Sequence, residues 1–227
     1  PFQANSLLAL VKDDLFNVYL AKVLPLAQVG FIGFGQKWAF LPMRLFMDNI
    51  IKITFPSFSR LQHDKDGLRK AIEKTMFLIS VCIFPTAVGI FFFSEPLVSF
   101  IPRYQKWEPA ITVLVFFAAS TVLSSLSTPL TNILNAIGKV KITLYFMIMW
   151  TALTWTLNPL FIYWYGYNGV GFASLIISFS SVFVFIVAKR FVDFSIVKPV
   201  YPAIIASLIM GAFAFFTQAV TTSIFFF

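Results

Sequence analysis

Seven charged side chains stand where a membrane-crossing helix tolerates few. Residues 30–55 read GFIGFGQKWAFLPMRLFMDNIIKITF, long and apolar enough to cross a bilayer, yet they hold Lys37, Arg44, Asp48 and Lys52. A second apolar stretch, residues 1–24, carries Lys12-Asp13-Asp14 at its middle. A charge at the centre of a spanning helix costs roughly 2.5–3.5 kcal/mol on insertion scales, so such groups face a hydrated cavity or one another. At 100° per residue, Lys37, Arg44, Asp48 and Lys52 fall within about 80° of one another, on one helix face. The chemistry such a face offers is recognition of an anion, a phosphate or diphosphate above all.

The first stretch behaves less simply. Ser6, Asp13 and Asn17 share a face with Gln3 beside it, whereas Lys12 and Asp14 point about 100° to either side of Asp13. On a regular helix all three cannot face one cavity, so one pairs elsewhere or the helix unwinds locally. The two stretches are consecutive and antiparallel. Asp13 or Asp14 is therefore expected to pair with Arg44, leaving Lys12, Lys37 and Lys52 as a net positive lining. Asp13, Asp14 and Asp48 are candidates for coupling or gating. The competing reading is that these charges only neutralise one another and lock helices together.

No catalytic constellation accompanies them. A Ser/His/Asp set would need His63, which lies in the polar run Arg60–Asp66 and reads as a solvated residue. Adjacent Asp13 and Asp14 do not converge on one substrate, and GFIGFG at residues 30–35 lacks the strand-turn-helix setting of a phosphate loop. With one Cys and one His in the chain, neither a metal site nor a disulfide is expected, and no cofactor is implied. Neutral polar stripes complete the inventory. Ser120, Ser124, Ser127, Thr131 and Asn135 form one, and Thr151, Thr154 and Asn158 another. Such stripes serve helix packing more often than ligand contact. Trp150 and Trp155 read as core residues, with stacking on sugar rings the alternative.

The elements that position these residues are membrane spans. Of 227 residues, 59% are hydrophobic and 11% charged, against about 25% charged in soluble domains. The net charge of +8 comes from cations spread between apolar runs, which excludes a nucleic-acid patch. Runs of about 20 apolar residues fall at 4–24, 31–54, 75–93, 110–133, 142–164, 170–188 and 200–220. About seven spans in one all-α membrane domain are expected, the third kinked at Pro85 and Gly89. Alternate connections hold ten Lys and Arg on one side (Arg60 to Lys74, Lys139, Lys141, Lys189, Arg190, Lys198) against three on the other (Lys22, Arg103, Lys106). The richer side is expected to be cytoplasmic, with Pro1 on it, and Trp107 and Tyr163-Trp164-Tyr165 outside.

Four turns resemble a known family. The run from Gly33 to Thr75 passes through Pro56-Ser57-Phe58-Ser59-Arg60-Leu61-Gln62-His63-Asp64, similar to a turn of polysaccharide flippases. Ser94-Glu95-Pro96-Leu97-Val98 resembles a helix-ending turn of that family, Asn132-Ile133-Leu134-Asn135-Ala136-Ile137-Gly138-Lys139 and Tyr165-Gly166-Tyr167-Asn168-Gly169-Val170-Gly171 resemble further steps of it, and Gln105-Lys106-Trp107 matches its outer loop in part. Together they cover residues 31–191 and are similar to the multidrug/oligosaccharidyl-lipid/polysaccharide exporter superfamily, in its Wzx-like polysaccharide branch.

The resemblance implies one lobe of a two-lobed helical transporter in the cytoplasmic membrane, here the second lobe with the start of extra C-terminal helices. Pro1 and the apolar run at Ser223–Phe227 agree with a fragment lacking its first lobe. Its partners would be that lobe, membrane lipids and a lipid-linked oligosaccharide on undecaprenyl diphosphate, carried to the outer leaflet without covalent chemistry. Basic residues of the central cavity would hold the diphosphate, which points to Lys37, Arg44 and Lys52, with Lys12 on the facing stretch. Two other readings compete. A drug or cation exporter of the same superfamily predicts a cavity dominated by acids and aromatics, and a membrane glycosyltransferase or polymerase predicts a large outer loop, whereas the longest here is 94–109.

Overall fold

A computed structural model describes the backbone of residues 2–225 and the side chains of residues 3–218. The expectations placed on Pro1 and on the last two residues lie outside these. The chain is all-α, with no strand among the described residues. Its elements are α1 (Phe2–Val23), α2 (Leu26–Arg60), α3 (Lys65–Phe100), a 3-10 helix (Pro102–Ala110), α4 (Ile111–Ala136), α5 (Val140–Tyr165), α6 (Asn168–Phe179), α7 (Ser181–Lys189) and α8 (Val197–Phe225). A break at Ser180 separates α6 from α7 within one rod, so the described rods correspond to the expected spans.

Five of these rods are long and apolar enough to cross a membrane; α1 and α2 are not among them. The seven charges and their polar neighbours account for that difference. The chain is a multi-pass membrane protein whose two polar helices need shelter from lipid.

Some helices outrun their expected ends. α2 has 35 residues and α3 has 36. At about 1.5 Å per residue each is some 50 Å long against a hydrocarbon core of about 30 Å, so both project into the headgroups. Pro56 lies inside the last turn of α2, and Ser94–Val98 lies inside α3, not at its end. Pro85 is likewise within a helix assigned without interruption. Prolines are tolerated within membrane-spanning helices more readily than in soluble ones. Beside Pro85, the Thr86 hydroxyl donates to the Cys82 carbonyl at 2.6 Å.

Two turns match their sequence signals closely. Gly138, at φ 79°, follows α4, and Gly166, at φ 58°, follows α5, where the left-handed region favours glycine. The Gly166 N–H closes on the Ile162 carbonyl at 2.9 Å. At the start of α3 the Asp64 carboxylate accepts the Gly67 N–H at 3.0 Å, and a Cβ on residue 67 would strike that carboxylate. Asp64→Ala is expected to cost about 1 kcal/mol, the ordinary loss for an N-cap, read as a lower thermal midpoint in detergent.

α4 is the hub, packed on α2, α3, α6 and α7, while α8 covers α3. α1 rests on α5, which rests on α6, and α1 scarcely meets α2. The two polar helices therefore form separate lips of one opening. One apolar cluster joins Phe58, Leu68, Ile72, Met76, Leu130, Leu134 and Val184. A second joins Phe16, Leu20, Ile32, Ala39, Val113, Phe117 and Val170.

Each end of the bundle is tied by polar or aromatic contacts. At one, Trp107 stacks on Phe34 with centroids 4.7 Å apart, and the Tyr167 hydroxyl donates to the Pro109 carbonyl at 3.0 Å. At the other, Glu73 accepts the Ser195 N–H at 2.8 Å and pairs with Arg69 at 3.5 Å, the i,i+4 relation expected at the start of α3. Lys139 lies over the Phe191 ring at 5.3 Å. His63 is exposed in the Leu61–His63 turn.

Candidate functional site

A cleft of about 800 Å³ opens between α1 and α2 and is backed by α4, α5, α6 and α7. α1 contributes Lys12, Asp13, Asp14 and Asn17, and α2 contributes Gln36, Lys37, Arg44 and Asp48. The helical phase of α2 thus delivers three of its four charges to one wall. Lys52, also expected there, is exposed on α2 outside the lining. Without it the lining carries three cations and three acids, so the expected surplus of positive charge is corrected to formal neutrality.

The expected pairing is also corrected. Lys12 and Asp13 form their own ion pair at 2.6 Å, and among the described residues no ion pair joins Arg44 to Asp13 or Asp14. The reason is geometric. α1 and α2 diverge around the cleft, so a sequence neighbour is nearer than the facing helix. Nor does α1 unwind; it is helical throughout, and the breadth of the opening lets Lys12, Asp13 and Asp14 all border it. Lys37 lies over the ring of its neighbour Trp38 at 5.9 Å. Arg44 and Lys37 are both exposed and form no ion pair among the described residues.

The rear of the cleft is neutral and polar. Ser120, Ser124, Ser127 and Thr128 line it from α4, and Thr154 and Asn158 from α5. Packing was the first expectation for these stripes, and the structure divides them. Asn135 accepts from Thr143 at 2.7 Å within the protein, and Thr131 and Thr151 donate to their own helices at Thr128 and Met147 outside the cleft, whereas the rest line it. The tryptophans divide too. Trp155 packs edge-on to Phe16 and donates to the Val11 carbonyl at 3.1 Å, as a core residue should. Trp150 borders the cleft, its indole N–H held by the Ser180 hydroxyl at 2.9 Å. Sequence reasoning missed Ser174, Ser178 and Ser181, which complete this wall from α6 and α7. Their i, i+4, i+7 spacing was the available signal.

The fold and cleft define a multi-pass helical membrane protein with an open cleft of mixed charge. Residues 1–112 match the family described as "Polysaccharide biosynthesis protein". Over 152 residues the chain is 26% identical to the lipopolysaccharide biosynthesis protein WzxC of Escherichia coli K12, which covers 66% of this chain and 30% of that protein. It is 23% identical over 142 residues to an uncharacterized membrane protein in the cps region of Klebsiella pneumoniae, covering 63% and 29% respectively. No solved structure matches the chain significantly. The resemblance read from the four turns is borne out by these matches, and the chain spans under a third of the curated relatives it matches.

Proposed function

We propose that the chain is part of a flippase moving a lipid-linked oligosaccharide, on a diphosphate carrier, from the cytoplasmic to the outer leaflet of the cell membrane. The observation that carries this reading is the pair Lys37 and Arg44, on one face of α2, bordering the cleft with no ion-pair partner among the described residues. A guanidinium and an ammonium so placed are donors awaiting an anion, and the Arg44 fork suits phosphate oxygens. Lys12 contributes less, being held by Asp13. Lys52 is reached only by a ligand that extends beyond the cleft. The basic end of the bundle is the cytoplasmic one. The lips formed by α1 and α2 face the other lobe that the resemblance implies, and rocking of the lobes gives alternating access. Asp14 and Asp48 are the candidates for ion coupling. The cycle needs no covalent step.

The three acids of the lining favour one second reading, ion-driven efflux of an organic cation. The test is the full-length protein in liposomes loaded with a lipid diphosphate oligosaccharide, followed by its arrival in the opposite leaflet. Movement well above protein-free vesicles is expected. No movement, together with ion-driven efflux of an organic cation, transfers the protein to the drug-exporter reading and makes the acids its site.

A further inference from the structure

We infer that the cleft's rear wall, built by α4, α5 and α6, is a subsite for the hydroxyl groups of an uncharged sugar, distinct from the cationic lip on α2. This inference rests on the flippase reading and assigns the two ends of its substrate to opposite walls. A hydroxyl can donate once and accept twice, whereas Lys and Arg only donate.

On the rear wall most hydroxyl donors are already committed, those of Thr154 and Ser181 being the exceptions. Ser120 donates to the Phe117 carbonyl at 2.7 Å and Ser124 to the Ser120 carbonyl at 2.8 Å. Ser174 donates to Val170 at 2.9 Å and Ser178 to Leu175 at 2.6 Å. What these side chains keep for the cleft is oxygen lone pairs. Trp150 likewise offers the cleft no side-chain donor, because its indole N–H is held by Ser180.

Asn158 points independently to a ligand. It is 2% exposed and borders the cleft; its amide nitrogen donates to the Thr154 carbonyl at 2.9 Å, and its Oδ1 has no partner. A buried acceptor left unpaired is costly, and native structures keep few of them without a reason. A group that brings a proton relieves it. Sugar hydroxyls bring protons; ionised phosphate oxygens bring none. The rear wall, richer in acceptors than in free donors, therefore favours a glycan over a diphosphate, while Lys37 and Arg44 favour the diphosphate. A head group carrying both is oriented across the cleft, diphosphate toward α2 and sugar toward α4–α6.

The experiment uses the purified full-length protein in lipid nanodiscs with two separate probes. One is the neutral oligosaccharide released by mild acid from the lipid-linked pool of the producing cells; the other is inorganic diphosphate. Asn158→Ala is expected to weaken oligosaccharide binding about tenfold while diphosphate binding changes less than about twofold, and Arg44→Ala to do the opposite. If Asn158→Ala lowers both alike, Ser178→Ala decides, since it removes one acceptor and leaves the buried amide in place. Selective loss of the oligosaccharide there supports the subsite; equal loss, or none, overturns it. A wild type that binds no neutral oligosaccharide overturns it as well. A wild type that binds the oligosaccharide but moves no lipid leaves the subsite standing and removes the transport reading instead.

Discussion

Arg44→Ala in the full-length protein is expected to slow transport of a diphosphate-linked oligosaccharide by one to two orders of magnitude without lowering the thermal midpoint. The two halves of that expectation have separate grounds. Arg44 is exposed on the cleft wall and makes no ion pair among the described residues, so the fold loses little when it goes. A hydrogen bond to an ionised group contributes about 1.5–3 kcal/mol, or about 10- to 100-fold in binding. The cleft is open to water, so the lower half of that range is the better expectation at physiological salt. Arg44→Lys should fall between, since it keeps the charge and loses the two-pronged geometry. Lys37→Ala should cost less than Arg44→Ala, because an ammonium over the Trp38 ring is a point charge already partly engaged. Wild-type rates in Arg44→Ala would remove the diphosphate from this face of α2. Loss of transport in Asp14→Asn and Asp48→Asn alone would then place the working charges among the acids.

Helix phase carried the sequence reading of α2 a long way. Lys37, Arg44 and Asp48 line one wall because a regular helix keeps residues at such spacing together, even with Pro42 between them. Lys52 obeys the same phase and still misses, because a cleft has a floor and a phase angle says nothing about depth. The pairing of Asp13 was out of reach for a related reason. Adjacency in the chain suggests contact, but α1 packs on α5 while α2 packs on α4, an arrangement made by residues far apart in the sequence. Lipid hides such partnerships. A face turned to hydrocarbon and a face turned to protein are both apolar in this setting, so exposed Phe91, Leu97 and Phe213 read much like buried Met76 and Phe117. Turns escaped that ambiguity. Gly138 and Gly166 signal a backbone requirement that is local, and both stand where the helices end. Pro56 and Pro96 misled for the opposite reason: in membrane helices proline does not reliably mark an end. Asn158 was visible as a polar residue in an apolar run, but its unpaired oxygen belongs to tertiary structure alone.

Gly169→Ala is expected to be the most destabilising single methyl that can be added to the α5–α6 joint, at about 3 kcal/mol or more, the upper end of overpacking costs. Its Cβ would collide with the Phe161 carbonyl oxygen and come within 2.8 Å of the Ile162 nitrogen, and backbone atoms cannot swing aside. Two residues on, Gly171→Ala meets Val113 Cγ2 at 2.9 Å and the Val113 carbonyl at 3.0 Å, so α6 could no longer seat against α4. Gly35 approaches the same stretch of α4 from α2, with a built Cβ 3.1 Å from Val113 Cγ1 and 3.2 Å from the Leu114 nitrogen. Missing side chains on both flanks therefore clamp α4, and the cleft walls inherit their spacing from that clamp. Gly89 supplies the control. Nothing lies within 4 Å of its Cβ, so Gly89→Ala should be neutral or stabilise by up to about 1 kcal/mol through helix propensity. Thermal unfolding of the detergent-solubilised protein checks the order: Gly169→Ala lowest, Gly171→Ala next, Gly89→Ala at or above wild type. A Gly169→Ala midpoint equal to that of Gly89→Ala would mean the α5–α6 joint yields freely. The two halves of the rear wall, Asn158 on α5 and Ser174 on α6, would then not be held in fixed register, and a preformed sugar subsite would lose its physical basis.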